Sequence, residues 1–224
     1  MQFILTTGWE DGIASLAERL VHELAAGKRV LWLVCGGSNI PASVEVMGSI
    51  SPELSRGLAV TLTDERYGEV GHQDSNWAQL MQAGFTPNNA IMLPVLQPGL
   101  SLDQTVSRYA QMIETGLESA DCVIAQIGMG EDGHVAGILP GSAAASEKNA
   151  LAFGYQGDPF TRLTLTFPAL QKINAAYVFA FGDNKKTALK NLAQKKLALA
   201  KQPAQVLKQL PEAYVYNDQV GEET

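Results

Sequence analysis

A glycine-rich turn that ends in a histidine is the clearest candidate for chemistry in this chain. The apolar segment 121–127 leads into Gly128-Met-Gly-Glu-Asp-Gly-His134. Glycines let the backbone turn sharply and let a ligand approach closely. An imidazole can accept or donate a proton near neutral pH, so we expect His134 to act as a general base or acid. The alternative is a tight turn with a solvated histidine, which this motif alone does not exclude.

A Gly-Gly-Ser turn follows a second apolar segment, 30–35. Its backbone can direct N–H groups at an anion, and the N-terminus of a following helix adds a favourable dipole. Pro41 suits the first turn of such a helix. The alternative is an ordinary strand-to-helix turn capped by a polar side chain, Ser38 or Asn39. The candidate anion-binding residues are Gly36, Gly37, Ser38 and Asn39.

Three consecutive ionisable residues, 64–66, follow the apolar segment 58–63. We expect Asp64 to accept hydrogen bonds from sugar hydroxyls. We expect Arg66 to hold an oxyanion or a phosphate through its planar fork of donors. The alternative is an Asp–Arg ion pair that fixes the loop, with Asp74 or Ser75 capping the next helix.

Two further cationic residues are candidates for the same binding site. The segment 161–166 alternates like a strand and presents Arg162 on the face that carries its threonines. Lys185 comes just after the apolar segment 176–181, at the start of a predicted helix. A lysine there is electrostatically unfavourable without a partner, and a bound phosphate would supply one. The alternative for Lys185 is ordinary solvation.

Apolar segments bounded by turns alternate with segments of helical periodicity, a pattern typical of a parallel sheet covered by helices. We therefore predict one α/β domain over 1–224, with three layers and a mostly parallel, Rossmann-like sheet between helices. All the candidate clusters then lie at carboxyl ends of strands, where such sheets bind ligands. The predicted strands are 30–35, 58–63, 122–127 and 176–181, the helices 13–24, 102–117 and 187–199, and the loops 94–99 and 143–160.

Composition excludes several classes of partner. The net charge of −7 argues against nucleic acid and anionic membranes. No apolar stretch is long enough to span a bilayer, and the first residues lack a signal-like pattern, so we expect a cytoplasmic protein. Cys35 and Cys122 are far apart and read as buried, reduced thiols. With no HExxH motif and no clustered Cys/His set, we expect no catalytic metal. A monomer and a homodimer both remain open.

In collinear order these motifs resemble the 6-phosphogluconolactonases, within the wider group that includes the glucosamine-6-phosphate isomerases and deaminases. The family pattern runs S-G-G-S-T-P, then D-E-R with a downstream S-N, G-x-G-x-D-G-H-x-A-S-x-F-P-G, R-x-T-L-T and G-x-x-K. The resemblance covers nearly the whole chain. The matching segments are Cys35-Gly-Gly-Ser-Asn-Ile-Pro41, Asp64-Glu-Arg66 with Ser75-Asn76, Gly128-Met-Gly-Glu-Asp-Gly-His-Val-Ala-Gly-Ile-Leu-Pro-Gly141, Arg162-Leu-Thr-Leu-Thr166 and Gly182-Asp-Asn-Lys185.

Two positions favour the lactonases within this group. The deaminases resemble D-G-H-I-A-F-N-E-P, and their glutamate corresponds here to Leu139. They also tend to have D-E-Y, where this chain has Arg66. The chain departs from the lactonase pattern at four places. Cys35 and Gly137 replace serines, Asn39-Ile40 adds a residue before the proline, and the Val-Pro that follows Asp-Glu-Arg in the family is absent.

The resemblance implies hydrolysis of 6-phospho-D-glucono-1,5-lactone without a cofactor. Its phosphate would lie on the Gly-Gly-Ser turn near Arg162 and Lys185. His134 would activate a water, with Arg66 or backbone N–H groups at the oxyanion. Asp132 would either orient the histidine or hold the turn together.

Three other functions remain open. One is a sugar-phosphate isomerase or deaminase in which Asp64 moves the proton. Another is a sensor that binds sugar phosphates without turnover, a function that the presence of His134 disfavours. The third is a structural α/β protein with no small-molecule site.

Overall fold

A computed structural model of the protein describes residues 1–221; residues 222–224, the end of the predicted domain, lie outside the described part. The predicted strands and helices are present, most of them with ends shifted by one to three residues. The strands are β1 (Gln2–Leu5), β2 (Val30–Val34), β3 (Leu58–Leu62), β4 (Asp64–Arg66), β5 (Ile91–Met92), β6 (Cys122–Gly128), β7 (Ala152–Gln156), β8 (Thr161–Leu165), β9 (Ala175–Ala180) and β10 (Glu212–Asn217). The helices are α1 (Glu10–Ala25), α2 (Ile40–Gly48), α3 (Asn76–Gln82), α4 (Leu102–Ser119), α5 (Phe167–Leu170) and α6 (Lys186–Gln194).

The main sheet confirms the predicted α/β fold. Within residues 1–221 it has seven strands in the order β1-β10-β9-β6-β2-β3-β5. Every pair in it is parallel, as expected for strands joined by helical crossovers. Side chains of β2 are buried throughout, and Trp32 at its centre is fully enclosed. Cys35 and Cys122 are buried free thiols, as predicted.

A second sheet was not predicted. It consists of three antiparallel strands in the order β4-β8-β7. The loop predicted over 143–160 is wrong in part, because it contains β7. This segment is rich in small and polar residues, and it becomes a strand only through its pairing with β8 and its packing on α4. A Cβ at Gly154 would lie 2.6 Å from Val106 in α4, which shows how closely the two elements approach.

The structure corrects two further expectations. Arg162 lies near the start of β8, in an antiparallel sheet, and not at the carboxyl end of a parallel strand. The helix predicted over 187–199 ends at Gln194, because Lys195 has an extended backbone conformation. The Lys195 carbonyl accepts a hydrogen bond from Lys208 Nζ at 2.6 Å. None of the helices within residues 1–221 has both the length and the apolarity needed to cross a membrane.

Candidate active site

The predicted motifs come together at one cavity of about 180 Å³ at the carboxyl end of the main sheet. The turns after β2, β3, β6 and β9 form much of its lining, and β8 contributes from the second sheet. Asp132 does not line this cavity but contacts a residue that does. The predicted residues that line it are Gly36, Gly37, Ser38, Asn39, Asp64, Arg66, His134, Arg162 and Lys185.

His134 forms a pair with Asp132. The distance from Nδ1 to Asp132 Oδ1 is 2.7 Å, and the same oxygen accepts the His134 backbone N–H at 3.0 Å. Burial raises the pKa of Asp132, but the hydrogen bonds and charge of His134 outweigh this and hold the pKa below its ordinary value. An ionised carboxylate at Nδ1 favours the tautomer with its proton there, which leaves the lone pair on Nε2. Within residues 1–221, Nε2 has no hydrogen-bond partner.

The glycines of this turn are explained by close contacts. A Cβ at Gly130 would overlap the His134 imidazole at Nδ1 and lie 2.6 Å from Asp132 Oδ1. Gly133 has a φ of +81°, a conformation that other residues rarely adopt. The histidine therefore folds back over its own turn only because position 130 has no side chain.

The Gly-Gly-Ser turn joins β2 to α2. Gly37 has a φ of +68°, and Pro41 lies in the first turn of α2 as predicted. The capping alternative is wrong, since no side chain caps α2. Asn39 is instead buried, and its carbonyl accepts a hydrogen bond from Gln126 Nε2 at 2.9 Å. The turn thus keeps backbone groups and the Ser38 side chain at the cavity wall.

Asp64 is a buried carboxylate on the cavity wall. Asn76 Nδ2 donates to its backbone oxygen at 2.9 Å, and Thr63 Oγ1 donates to its carboxylate at 3.2 Å. Asn76 also lines the cavity. It was missed as a site residue, although the Ser-Asn pair of the family pattern pointed to it. The Asp–Arg ion pair is not formed, since Arg66 donates to the Asp74 carbonyl at 2.8 Å.

Glu65 joins β4 to α3 from inside the protein. Its fully buried carboxylate accepts the backbone N–H groups of Arg66, Asn76 and Trp77 and the hydroxyl of Ser75, at 2.6–3.0 Å. Burial raises its pKa, and these donors offset part of that shift. Ser75 caps α3, as one of the alternatives predicted. This network holds Arg66 and Asn76 at fixed places beside Asp64.

Arg66 and Arg162 face each other across the second sheet, since β4 and β8 pair at these two residues. Both guanidinium groups lie over the ring of Phe160, at 5.2 and 5.9 Å from its centroid. Within residues 1–221 neither forms a salt bridge, and each has a buried Nε without a partner. Two adjacent cations without counter-charges favour a bound anion. Phe160 was missed because sequence spacing does not show which side chain lies beneath an arginine.

The segment after His134 is tied to the second sheet. The Gly137 N–H donates to Thr164 Oγ1 at 2.9 Å, and Tyr155 donates its hydroxyl to the Gly137 carbonyl at 2.6 Å. A Cβ at Gly137 would lie 2.9 Å from Thr164 Cβ and 3.1 Å from Asp64 Cβ. Glycine at this departure from the family pattern therefore accompanies unusually close packing against Asp64. Tyr155 was missed because β7 was predicted to be loop.

Comparisons with known proteins relate the chain to one family. The family described as Glucosamine-6-phosphate isomerases/6-phosphogluconolactonase matches residues 9–216. A 6-phosphogluconolactonase from Xylella fastidiosa (strain 9a5c) is 27% identical over 203 residues, which are 85% of this chain and 83% of that protein. One from Chlamydia pneumoniae is 28% identical over 132 residues, 58% of this chain, so the matched region spans only half (50%) of that relative.

Solved structures share the fold. The 6-phosphogluconolactonase from Thermotoga maritima has a TM-score of 0.79 at 21% identity, covering 96% of this chain and 98% of that one. A monomeric glucosamine-6-phosphate deaminase also has a TM-score of 0.79, at 17% identity and 97% coverage of both chains. The fold therefore does not separate the two activities. With a match over residues 9–216, the chain belongs to the Glucosamine-6-phosphate isomerases/6-phosphogluconolactonase family.

Proposed function

We propose that this protein hydrolyses 6-phospho-D-glucono-1,5-lactone to 6-phosphogluconate. The observation that carries the proposal is that His134, held by Asp132, lies on the wall of a cavity with unpaired cations. A histidine with a free Nε2 suits the activation of water, and unpaired cations suit a phosphorylated substrate. The relatives from Xylella fastidiosa and Chlamydia pneumoniae and the Thermotoga maritima structure, all 6-phosphogluconolactonases by name, support this substrate.

The substrate phosphate would lie on the turn of Gly36, Gly37, Ser38 and Asn39. Backbone N–H groups of this turn are available because α2 begins directly after it. Arg162 and Lys185 line the same cavity and form no ion pair within residues 1–221. Asp64 would accept hydrogen bonds from the sugar hydroxyls, held in place by Asn76.

The reaction follows from this binding mode. His134 in its neutral form takes a proton from water through Nε2, and the resulting hydroxide attacks the lactone carbonyl. The carbonyl oxygen becomes an oxyanion, for which Arg66 or nearby backbone N–H groups are the available partners. Collapse of the tetrahedral intermediate breaks the ring C–O bond, and His134 returns its proton to the ring oxygen. Asp132 holds the imidazole in the required tautomer throughout.

Deamination of glucosamine 6-phosphate is the second candidate, favoured by the shared fold and by the buried Asp64 in the cavity. Against it, the glutamate of the deaminase pattern is replaced by Leu139, which does not line the cavity. The lactonase therefore agrees better with the residues present.

One paired assay separates these functions. The lactone is generated from glucose 6-phosphate by its dehydrogenase, and its disappearance is compared with spontaneous hydrolysis. In parallel, glucosamine 6-phosphate is supplied and ammonia is measured. We expect accelerated lactone loss without ammonia. Ammonia release without accelerated lactone loss would replace the proposal by the deaminase, and tight binding with neither reaction would indicate a sensor.

A further inference from the structure

An aromatic wall forms one side of the cavity, and the proposed reaction does not use it. Trp9, Phe179 and Phe181 line the cavity. Trp9 stacks on Phe179 with ring centroids 5.5 Å apart and planes at 9°, and on Phe181 at 5.1 Å and 27°. Phe179 stacks in turn on Tyr216 at 5.8 Å. The rings support one another, so the indole has a fixed orientation.

Helix formation does not account for a tryptophan at this place. Trp9 is the N-cap residue of α1, a position that favours Ser, Thr, Asp or Asn, and its side chain makes no capping hydrogen bond. Core packing accounts for it only in part. Phe179 is buried, whereas Trp9 and Phe181 remain partly exposed at the cavity. Within residues 1–221 the Trp9 indole N–H has no hydrogen-bond partner.

The wall stands beside the proposed phosphate site. Phe179 belongs to β9, and Phe181 directly follows this strand. The turn after Phe181 carries Lys185. Because Lys185 and Trp9 line the same cavity, a ligand whose phosphate lies near Lys185 has its carbon skeleton in the space that the indole borders. The face of a sugar ring presents several C–H groups together, and aromatic faces with their negative quadrupole attract such groups. A planar lactone group flattens the ring and improves this contact.

We propose that Trp9 is a specificity-determining residue that stacks on the closed ring of the substrate. It thereby favours cyclic 6-phosphosugars over open-chain ones. The inference rests on the proposed function, because it names what that site distinguishes. Its consequence is that the open-chain product loses the stacking contact as soon as the ring opens, which weakens product binding.

Two ligands that are not lactones test the preference by calorimetry. Glucose 6-phosphate is cyclic, and sorbitol 6-phosphate is its open-chain counterpart with the same phosphate. We expect the wild-type protein to bind glucose 6-phosphate about three- to tenfold more tightly, the range that corresponds to one aromatic stacking contact. Trp9→Leu keeps an apolar side chain and should abolish this preference, whereas Trp9→Phe should keep most of it.

A cation variant provides the contrast. Lys185→Gln should weaken both ligands equally, because both carry the phosphate. If Trp9→Leu weakens both ligands equally, or changes neither affinity, the ratio of the two affinities stays at its wild-type value. Either result would overturn the proposal. Because the readout is a ratio, a loss of stability common to both measurements does not affect it. If the wild-type protein accelerates lactone hydrolysis but shows no cyclic preference, the inference fails and the proposed function stands.

Tryptophan fluorescence gives an independent readout. Trp32 is fully buried and Trp77 lies in α3 outside the cavity lining, so Trp9 is the tryptophan placed to respond. Glucose 6-phosphate should change the emission of the wild-type protein and of Trp77→Phe, and should leave Trp9→Phe unchanged. A response that persists in Trp9→Phe and disappears in Trp77→Phe would contradict the assignment.

Discussion

The two ends of the main sheet differ in how their cationic side chains are paired with carboxylates. At the amino ends of the strands, Arg19, Lys28 and Arg29 are matched by carboxylates. Arg19 contacts Glu23 at 2.7 Å and Glu212 at 2.9 Å, and Lys28 contacts Glu23 at 2.6 Å. Arg29, just before β2, pairs with Asp121, just before β6, at 2.9 Å. These charges hold α1 and the strand starts together.

At the carboxyl ends, Arg66, Arg162 and Lys185 line a cavity without a salt bridge among residues 1–221. An unpaired cation repels its neighbours and gains its partner only when an anion binds. We infer that the paired charges at the amino ends stabilise the fold, whereas the unpaired cations at the carboxyl ends are placed to bind an anion. Substitutions at the two ends should therefore have opposite signatures, in stability at one and in activity at the other.

The largest expected effect comes from His134→Asn. A positioned general base contributes roughly 100- to 10,000-fold in rate, so kcat for the lactone should fall at least about 100-fold. The measurement is lactone hydrolysis above the spontaneous background, with His22→Asn in α1 as the matched control. Turnover of His134→Asn near that of the wild-type protein would exclude this histidine as the base.

Gly130→Ala should disrupt the position of His134 at the carboxyl end of the sheet without removing any charged group. The new methyl group overlaps the imidazole at Nδ1, so His134 must move. Misplacement by about 1 Å costs up to about 100-fold in rate, and we expect a loss of kcat of about ten- to 100-fold. Gly48→Ala, where no atom lies within 4 Å of the added Cβ, is the control and should keep full activity. Equal kcat in the two variants would mean that the imidazole position is not critical.

Arg162→Gln should weaken substrate binding more than it slows chemistry. A hydrogen bond to a charged group is worth about 1.5–3 kcal/mol, which corresponds to a rise in KM of roughly ten- to 100-fold. The unfolding temperature should fall little, because the guanidinium has no counter-charge to lose and gives up only its contact with the Phe160 ring. Arg29→Gln at the opposite end should show the reverse, with a lower unfolding temperature and unchanged kcat/KM. A stability loss in Arg162→Gln larger than that in Arg29→Gln would contradict the comparison.

Glu23→Gln should have the smallest effect on activity. Hydrogen bonds from Lys28 and then Arg19 lower the pKa of this buried carboxylate in spite of its desolvation. A lowered pKa stabilises the fold above the unfolded value of about 4.3, and this contribution is lost as the pH falls through the folded value. We expect the variant to lose roughly 1.5 kcal/mol at neutral pH and less in acid. Urea unfolding at pH 7 and pH 3 measures this loss of unfolding free energy. An equal loss at both pH values would mean that the negative charge of Glu23 is not the source of the stabilisation.

Local pattern was sufficient for most of the parallel sheet. A buried strand must be apolar along its length and must end in a turn, so β2, β3, β6 and β9 could be read directly from residue order. The same logic placed the glycine turns, His134, Asp64 and Lys185 at one edge. It could not find β7, whose small and polar residues acquire strand structure only from β8 and α4.

The sequence by itself determined the family resemblance, the α/β class and the identity of the polar groups at the strand ends, because these depend on residues adjacent in the chain. Only the tertiary structure decided that Arg66 faces Arg162 over Phe160, that Glu65 anchors α3, and that Trp9 forms an aromatic wall with Phe179 and Phe181. Arg66 and Arg162 are distant in sequence, as are Trp9 and the two phenylalanines, and the Glu65 contact with Asn76 spans eleven residues. Their geometry depends on how helices and sheets pack, which periodicity within a segment does not specify.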